Sequence, residues 1–126
     1  MKRTVTSCPV ETAMSVIGGR WRAVILFYLL QGTKRFSELR RAIPNISQRM
    51  LTQDLRGLEA AGIVARTVYA EVPPRVEYRL TPLGERLRPS VEALLAWGNE
   101  LEAALGMDRN RGAGKRTSAS AKRSCL

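Results

Sequence analysis

Residues 46–62 read ISQRMLTQDLRGLEAAG, and this stretch decides the fold. Ser47 is a favoured helix N-cap residue, and Gly62 suits the left-handed residue that ends a helix. Between them three leucines recur at the i, i+4, i+7 spacing of one helix face, namely Leu51, Leu55 and Leu58. The stretch therefore predicts a single amphipathic helix with an apolar inner face.

The outer face of this helix carries hydrogen-bonding side chains and almost no acids. Arginine and glutamine match the edges of guanine and adenine in the major groove, and threonine can approach a thymine methyl group. An ordinary solvated helix face is the alternative, but acids would repel phosphate and Asp54 lies off this stripe. The predicted DNA-contacting residues of the helix are Ser47, Gln48, Arg49, Thr52, Gln53 and Arg56.

Three helices are predicted before this one. The first begins at Cys8, with Pro9 at its first helical position, and ends at Gly18 and Gly19 as a left-handed C-cap. The second is nearly all apolar and covers residues 20–30.

The third predicted helix is short. It begins with Ser37 as N-cap and ends near Ile43, and Pro44-Asn45 forms the turn to the helix after Ser47. Two short helices joined by a tight turn are the order of a helix-turn-helix.

A β-hairpin is predicted after the helices. In residues 76–80, VEYRL, apolar and charged residues alternate with the period of a half-buried strand, and residues 63–69 are its partner. The proline-rich loop 71–75 between them is the wing. The fold class is therefore mainly α with a small antiparallel β-hairpin (α+β), a winged helix-turn-helix.

Several basic or polar residues around the helix-turn-helix are candidates for phosphate contacts. Such contacts would fix the register of the protein on a duplex without selecting sequence. Singly, each is weak evidence, because surface Lys and Arg usually only solvate the fold. The set is Lys34, Arg35, Ser37, Arg40, Arg41 and, at the wing, Arg75.

A last helix is predicted from Thr81-Pro82 to about Met107, with a break or kink at Pro89. Its apolar residues recur at alternating steps of four and three, as in a coiled-coil seam. Such a stripe packs either on its own core or on a second subunit. The predicted dimer-interface residues, two of them on the first helix, are Val10, Met14, Leu94, Trp97, Gly98, Leu101 and Leu105.

The net charge of +10 lies mostly outside the predicted domain. Residues 8–107 contain 13 basic and 10 acidic residues, whereas residues 1–7 carry +2 and residues 108–126 carry +5. We expect a flexible N-terminal arm (1–7), a DNA-binding and dimerisation domain (8–107) and a disordered basic tail (108–126) that adds salt-sensitive, non-specific affinity.

The composition argues against other classes of protein. There is no histidine, and the two cysteines are far apart, so neither a zinc site nor acid-base catalysis is indicated. We expect no enzyme activity, no cofactor and no membrane span, and a cytoplasmic location. A non-specific architectural nucleic-acid-binding protein is the main alternative, and a winged helix used for protein association is another.

The order of the motifs resembles the HxlR-type family of bacterial transcriptional regulators. The segments that carry the resemblance include IGGRW (17–21), RFSEL (35–39), ISQRMLTQ (46–53) and VPPRVEY (72–78), within a match over residues 8–98. Arg20 departs from the lysine common in the family. The resemblance implies a homodimer of winged helix-turn-helix domains built through the terminal helices. We expect a repressor of an inverted-repeat operator on double-stranded DNA, with half-sites roughly 10 bp apart; any small-molecule effector is undefined.

Cys8 is a candidate sensor. At a helix N-cap, a thiolate is favoured by the helix dipole and by nearby cations such as Lys2 and Arg3. The position resembles that of a cysteine through which several regulators of the family sense oxidants or electrophiles. A small buried apolar residue is the alternative.

Overall fold

The computed structural model describes residues 6–107, which comprise six helices and three strands. The described residues divide into two compact units, one that ends at Arg88 and one that begins at Pro89. The predicted tail 108–126 and the first five residues of the predicted arm lie outside the described residues. The helices are α1 Pro9–Ile17, α2 Arg22–Leu29, α3 Phe36–Ala42, α4 Gln48–Ala60, α5 Pro82–Glu85 and α6 Arg88–Ala104; the strands are β1 Lys34–Arg35, β2 Val64–Tyr69 and β3 Arg75–Leu80.

Helix α4 forms as its sequence predicts. The Ser47 hydroxyl accepts a hydrogen bond from the Met50 amide at 3.1 Å, which satisfies one of the free donors of the first turn. Gly62 takes a φ of 79°, a left-handed conformation that a side chain disfavours. The leucine stripe is buried in a core formed with Trp21, Ile25, Leu26, Leu29, Leu39, Ile43, Ile46, Ile63, Val64 and Tyr78.

Two boundaries of the earlier helices differ from the prediction. The left-handed residue after α1 is Gly19, with φ 93°, whereas Gly18 is extended. Ser37 is not an N-cap, because α3 already begins at Phe36. The Glu38 carboxylate accepts the backbone amide of Arg35 at 2.7 Å, so the chain turns into the helix two residues before Ser37.

The sheet has three antiparallel strands in the order β1-β3-β2 rather than the two of the predicted hairpin. In β1, Lys34 pairs with Tyr78 and Arg35 pairs with Glu77. Strands β2 and β3 pair from Val64 with Leu80 to Tyr69 with Arg75. The missed strand joins the segment that enters the helix-turn-helix to the hairpin that carries the wing.

The chain breaks its helix before Pro89 rather than at it. The Thr81 hydroxyl caps α5 by accepting a hydrogen bond from the Gly84 amide at 3.1 Å. Helix α5 ends at Glu85. Helix α6 begins at Arg88, after two intervening residues, with Pro89 in its first turn, where its missing N–H costs no hydrogen bond.

Helix α6 exposes most of its predicted apolar seam. Leu94, Trp97, Leu101 and Leu105 are 48%, 59%, 38% and 64% exposed, whereas Val91 is buried. A Cβ added at Gly98 would meet no atom within 4 Å. Among residues 6–107 no helix combines the length and hydropathy needed to cross a membrane.

Candidate nucleic-acid interface

The polar face of α4 is exposed where base contacts were predicted. Gln48, Arg49 and Gln53 are exposed, and Arg56 is exposed one turn further along, whereas Thr52 is half-buried. In the part of the chain that the structure describes, neither Arg49 nor Arg56 has an ion-pair partner. Their charges and hydrogen-bond donors are therefore available to a ligand outside the chain.

One of the two acids of α4, Asp54, is held away from this face. Asp54 is only 9% exposed, and its Oδ1 lies 3.2 Å from Nε of Arg22 on α2. A carboxylate paired within the fold repels DNA phosphates less than a free one on the surface would. The sequence prediction that Asp54 lies off the polar stripe is confirmed by its burial.

Helix α3 places one further cation, Arg40, beside α4, and most of the other predicted phosphate contacts lie on α3 and β1. Arg40 donates a hydrogen bond through Nη1 to Oε1 of Gln48 at 3.3 Å, which links α3 to the first turn of α4. Arg35, Ser37 and Arg41 are exposed, and Lys34 is half-buried. Phosphate contact by these residues stays a prediction, and Arg40 is the one among them with a hydrogen bond to α4 in the described residues.

Arg75 has a different environment from the one predicted. It is the first residue of β3 rather than a loop residue, and its guanidinium lies 4.1 Å from the centre of the Tyr69 ring. It is also 3.2 Å from Glu71 and 3.6 Å from Glu77. Because two carboxylates already compensate its charge, Arg75 has less free charge for a phosphate than the other predicted contacts.

The structure shows one cationic position that sequence reasoning missed. A cleft of about 230 Å³ between α4 and the β2–β3 hairpin, here called the hairpin cleft, is lined by Thr52, Arg56, Glu59, Arg66 and Tyr78. The sequence does not predict a ligand contact for Arg66, because strand alternation assigns the residue to one face of the sheet but does not show what lies opposite that face.

The candidate sensor lies at the start of α1. Cys8 is an exposed free cysteine at the N-cap, and its side chain makes no capping hydrogen bond. The Cys8 amide donates a hydrogen bond to Oγ1 of Thr6 at 3.3 Å. The Glu11 carboxylate accepts a hydrogen bond from the Thr6 amide at 2.6 Å, and not from the Cys8 amide. The alternative of a buried apolar cysteine is wrong. Lys2 and Arg3 lie outside the described residues.

The apolar face of α1 is also open. Val10 and Met14, both predicted at the dimer interface, are 65% and 53% exposed. Among the described residues no group of three or more His, Cys, Asp or Glu side chains is arranged to hold a metal ion.

Comparison with known proteins gives a consistent result. Residues 16–104 match the model of the HxlR-like helix-turn-helix family. The chain is 53% identical over 92 residues to the uncharacterized HTH-type transcriptional regulator YkvN of Bacillus subtilis (strain 168), covering 73% of this chain and 78% of YkvN. These relatives are transcriptional regulators rather than enzymes.

Solved structures of similar sequence have the same fold. The redox regulator HypR in its reduced form is 48% identical with a TM-score of 0.75, covering 79% of this chain and 98% of HypR. Diamide-treated YodB from B. subtilis is 38% identical with a TM-score of 0.64, covering 77% of this chain and 96% of YodB. Together with the helix order and the hairpin, they confirm the predicted winged helix-turn-helix.

Proposed function

The chain belongs to the HxlR-like helix-turn-helix family and is a transcriptional regulator of the helix-turn-helix type, and from that premise we propose that it represses transcription as a homodimer on an inverted-repeat operator. Helix α4 enters the major groove, and Arg49 and Gln53 contact base edges there. Residues of β1 and α3 contact the phosphates on either side.

The observation that carries this proposal is the division of α4 into two faces. Its leucines are fully buried, whereas Arg49 and Gln53 are exposed on the opposite side and Gln48 is exposed at the N-terminal end; within residues 6–107 Arg49 makes no ion pair. Arginine and glutamine can each make two hydrogen bonds to one base, which gives sequence preference that uniform charge cannot give.

The proposed dimer is supported by apolar side chains that the single chain leaves in water. On α6 they recur along one stripe from Leu94 to Leu105, and on α1 they are Val10 and Met14. Large exposed apolar patches usually mark an interaction site. A two-fold dimer implies an operator with dyad symmetry and half-sites about 10 bp apart.

We also propose that Cys8 makes DNA binding responsive to oxidants or electrophiles. Its exposure allows a reagent to reach the sulfur, and it forms no disulfide in the described residues. The names of two similar structures, the redox regulator HypR and the diamide-treated YodB, are consistent with this proposal.

Selection of genomic fragments by the purified full chain tests the function. The expected result is enrichment of a few sequences with dyad symmetry, and a changed set or yield after treatment with diamide. Enrichment without symmetry would contradict the dimeric arrangement. Retention of all fragments in proportion to their length would instead support the alternative, a non-specific architectural protein.

A further inference from the structure

We propose that the hairpin cleft binds a phosphodiester group of the DNA backbone, held between Arg56 of α4 and Arg66 of β2. This inference rests on the proposed function, because it names a second kind of DNA contact made by the same domain. It also changes the role of Arg56, which the sequence alone assigns to base contact.

The strand register directs Arg66 into the cleft. Arg66 is paired with Tyr78 of β3, so the two side chains lie on the same face of the sheet. Tyr78 is 8% exposed and lines the cleft, which shows that this is the face turned toward α4. Arg79, the next residue of β3, is paired with Ala65 and lies on the other face.

Helix α4 supplies the opposite wall. Thr52, Arg56 and Glu59 follow one another at i, i+4 and i+7, so they line one edge of the helix. Arg49 and Gln53 do not line the cleft. The exposed side of α4 therefore separates into a cleft edge and an outer surface that remains free for bases.

The two cleft arginines are uncompensated. Arg22, Arg75 and Arg88 each lie within 4 Å of a carboxylate. Over residues 6–107, by contrast, the guanidinium group of neither Arg56 nor Arg66 has an ion-pair or hydrogen-bond partner. Glu59 lines the same cleft without pairing with either of them, so the cleft has a net charge of +1. Two guanidinium groups with free donors match the geometry of a phosphate, which accepts paired hydrogen bonds.

The position and size of the cleft favour a backbone phosphate. Arg56 lies on the same helix as the residues proposed to contact bases, so a duplex seated on α4 brings its backbone to this edge. A volume of about 230 Å³ equals that of several water molecules at about 30 Å³ each, which is enough for one phosphate group. Thr52 and Tyr78 are the uncharged residues of the lining.

Arg66→Gln tests the site against a matched control, Arg79→Gln. Both variants remove one positive charge from an exposed position of the same hairpin, but on opposite faces of the sheet. The full-length chain is titrated with a selected duplex and with a random duplex over a range of salt concentrations. Because each neutralised phosphate contributes about 0.9 to the slope of log K against log salt and the proposed dimer carries two copies of the site, Arg66→Gln should flatten the slope by about 1.8.

In the same titrations, Arg66→Gln should weaken binding to both duplexes by the same factor, since a phosphate contact carries no sequence preference. Arg66→Lys keeps the charge and should keep most of the slope, which separates lost charge from a fold defect. Equal flattening by Arg66→Gln and Arg79→Gln would overturn the proposal while leaving the proposed function intact. Absence of duplex binding by the wild-type chain would overturn both.

A duplex with single neutral methylphosphonate linkages locates the contact. One linkage should weaken binding by the wild-type chain more than binding by Arg66→Gln, because in that variant Arg56 alone contacts the phosphate. If, at every linkage, the loss of affinity were the same for the wild-type chain and for Arg66→Gln, the proposal would be contradicted.

A titration with sodium phosphate at constant ionic strength, monitored by NMR, tests whether a free anion is the ligand. A saturable response that needs Arg66, with no change in the DNA salt slope, would assign the cleft to a free anion and overturn the assignment to DNA.

Discussion

Nε of Arg22 lies 3.2 Å from Oδ1 of Asp54, so a side chain of α2 is paired with the inner side of the helix proposed to enter DNA. The same guanidinium donates through Nη1 to the carbonyl of Val16 in the last turn of α1, at 2.9 Å. Arg22 thus satisfies a carbonyl that the end of α1 leaves without an intrahelical partner. One residue joins α1, α2 and α4.

Gly57 makes room for this contact, and its replacement should be costly. A Cβ at position 57 would lie 2.2 Å from Nη2 of Arg22. Alanine favours a helix over glycine by about 1 kcal/mol, but here it displaces the guanidinium from Asp54. This pair is part-buried, so separating it costs less than the ~3 kcal/mol at which the cost of removing one partner of a buried pair begins. We therefore expect Gly57→Ala to lower the free energy of unfolding in urea by up to about 2 kcal/mol.

The same substitution, made in a variant that lacks Arg22, provides the control. In Arg22→Met, where no guanidinium remains, Gly57→Ala should raise the free energy of unfolding by about 1 kcal/mol, through helix propensity alone. The sign of the effect should reverse between the two backgrounds. A loss of stability of the same size in both would show that contact with Arg22 is not the reason for glycine.

Base preference should depend on the outer surface of α4. Replacing Arg49 or Gln53 by Ala should reduce discrimination between the selected operator and a mismatched duplex by about 1 to 3 kcal/mol for each lost bidentate contact. Arg41→Ala, an exposed residue of α3, should weaken both duplexes equally. Competition binding with single-base operator variants measures the difference. The same profile for Arg49→Ala and Arg41→Ala would remove the base-contact role.

Oligomeric state should depend on the apolar stripe of α6. Light scattering of the wild-type chain at micromolar concentration should give the mass of a dimer, and Leu101→Glu should give a monomer because a charge then opposes burial of the stripe. Ala96→Glu places the same charge on the far side of α6 and should remain dimeric. A monomeric wild-type chain would contradict the proposed assembly.

Redox sensitivity should depend on Cys8. Treatment with peroxide or diamide should change the affinity of the wild-type chain for its operator, and Cys8→Ser should bind DNA normally but lose the response. Serine is a favoured N-cap residue, so the variant should also keep α1 folded. Cys125→Ser is the control and should respond like the wild type. Indifference of the wild-type chain to both reagents would end the sensor hypothesis.

The sequence predicts best where the signal is local and repeated. Helix α4 has an N-cap serine, three leucines at helical spacing and a terminal glycine, and each of these features has the predicted structure. Strand β1 has two residues, which is too short for any periodicity, and it exists because Lys34 and Arg35 pair with distant residues of β3.

The sequence also does not predict which arginines form ion pairs within the fold, because such pairs depend on how the side chains pack in the folded chain. Arg66 and Arg75 look alike in sequence, yet Arg75 is paired with two glutamates and Arg66 with none in the described residues. The difference arises from which face of the sheet each side chain occupies and what packs against it. The short helix α3 shows a local version of the same effect, since Glu38 rather than Ser37 determined its start.

The two faces of α4 also bear on how such regulators diverge after gene duplication. The leucines hold the helix in the core, and different residues, Arg49 and Gln53, are proposed to contact bases. Within residues 6–107 Arg49 makes no ion pair. Exposed substitutions of this kind usually change stability by less than about 0.5 kcal/mol. A duplicated copy can therefore acquire a new operator through a few exposed substitutions, without a compensating change in its core.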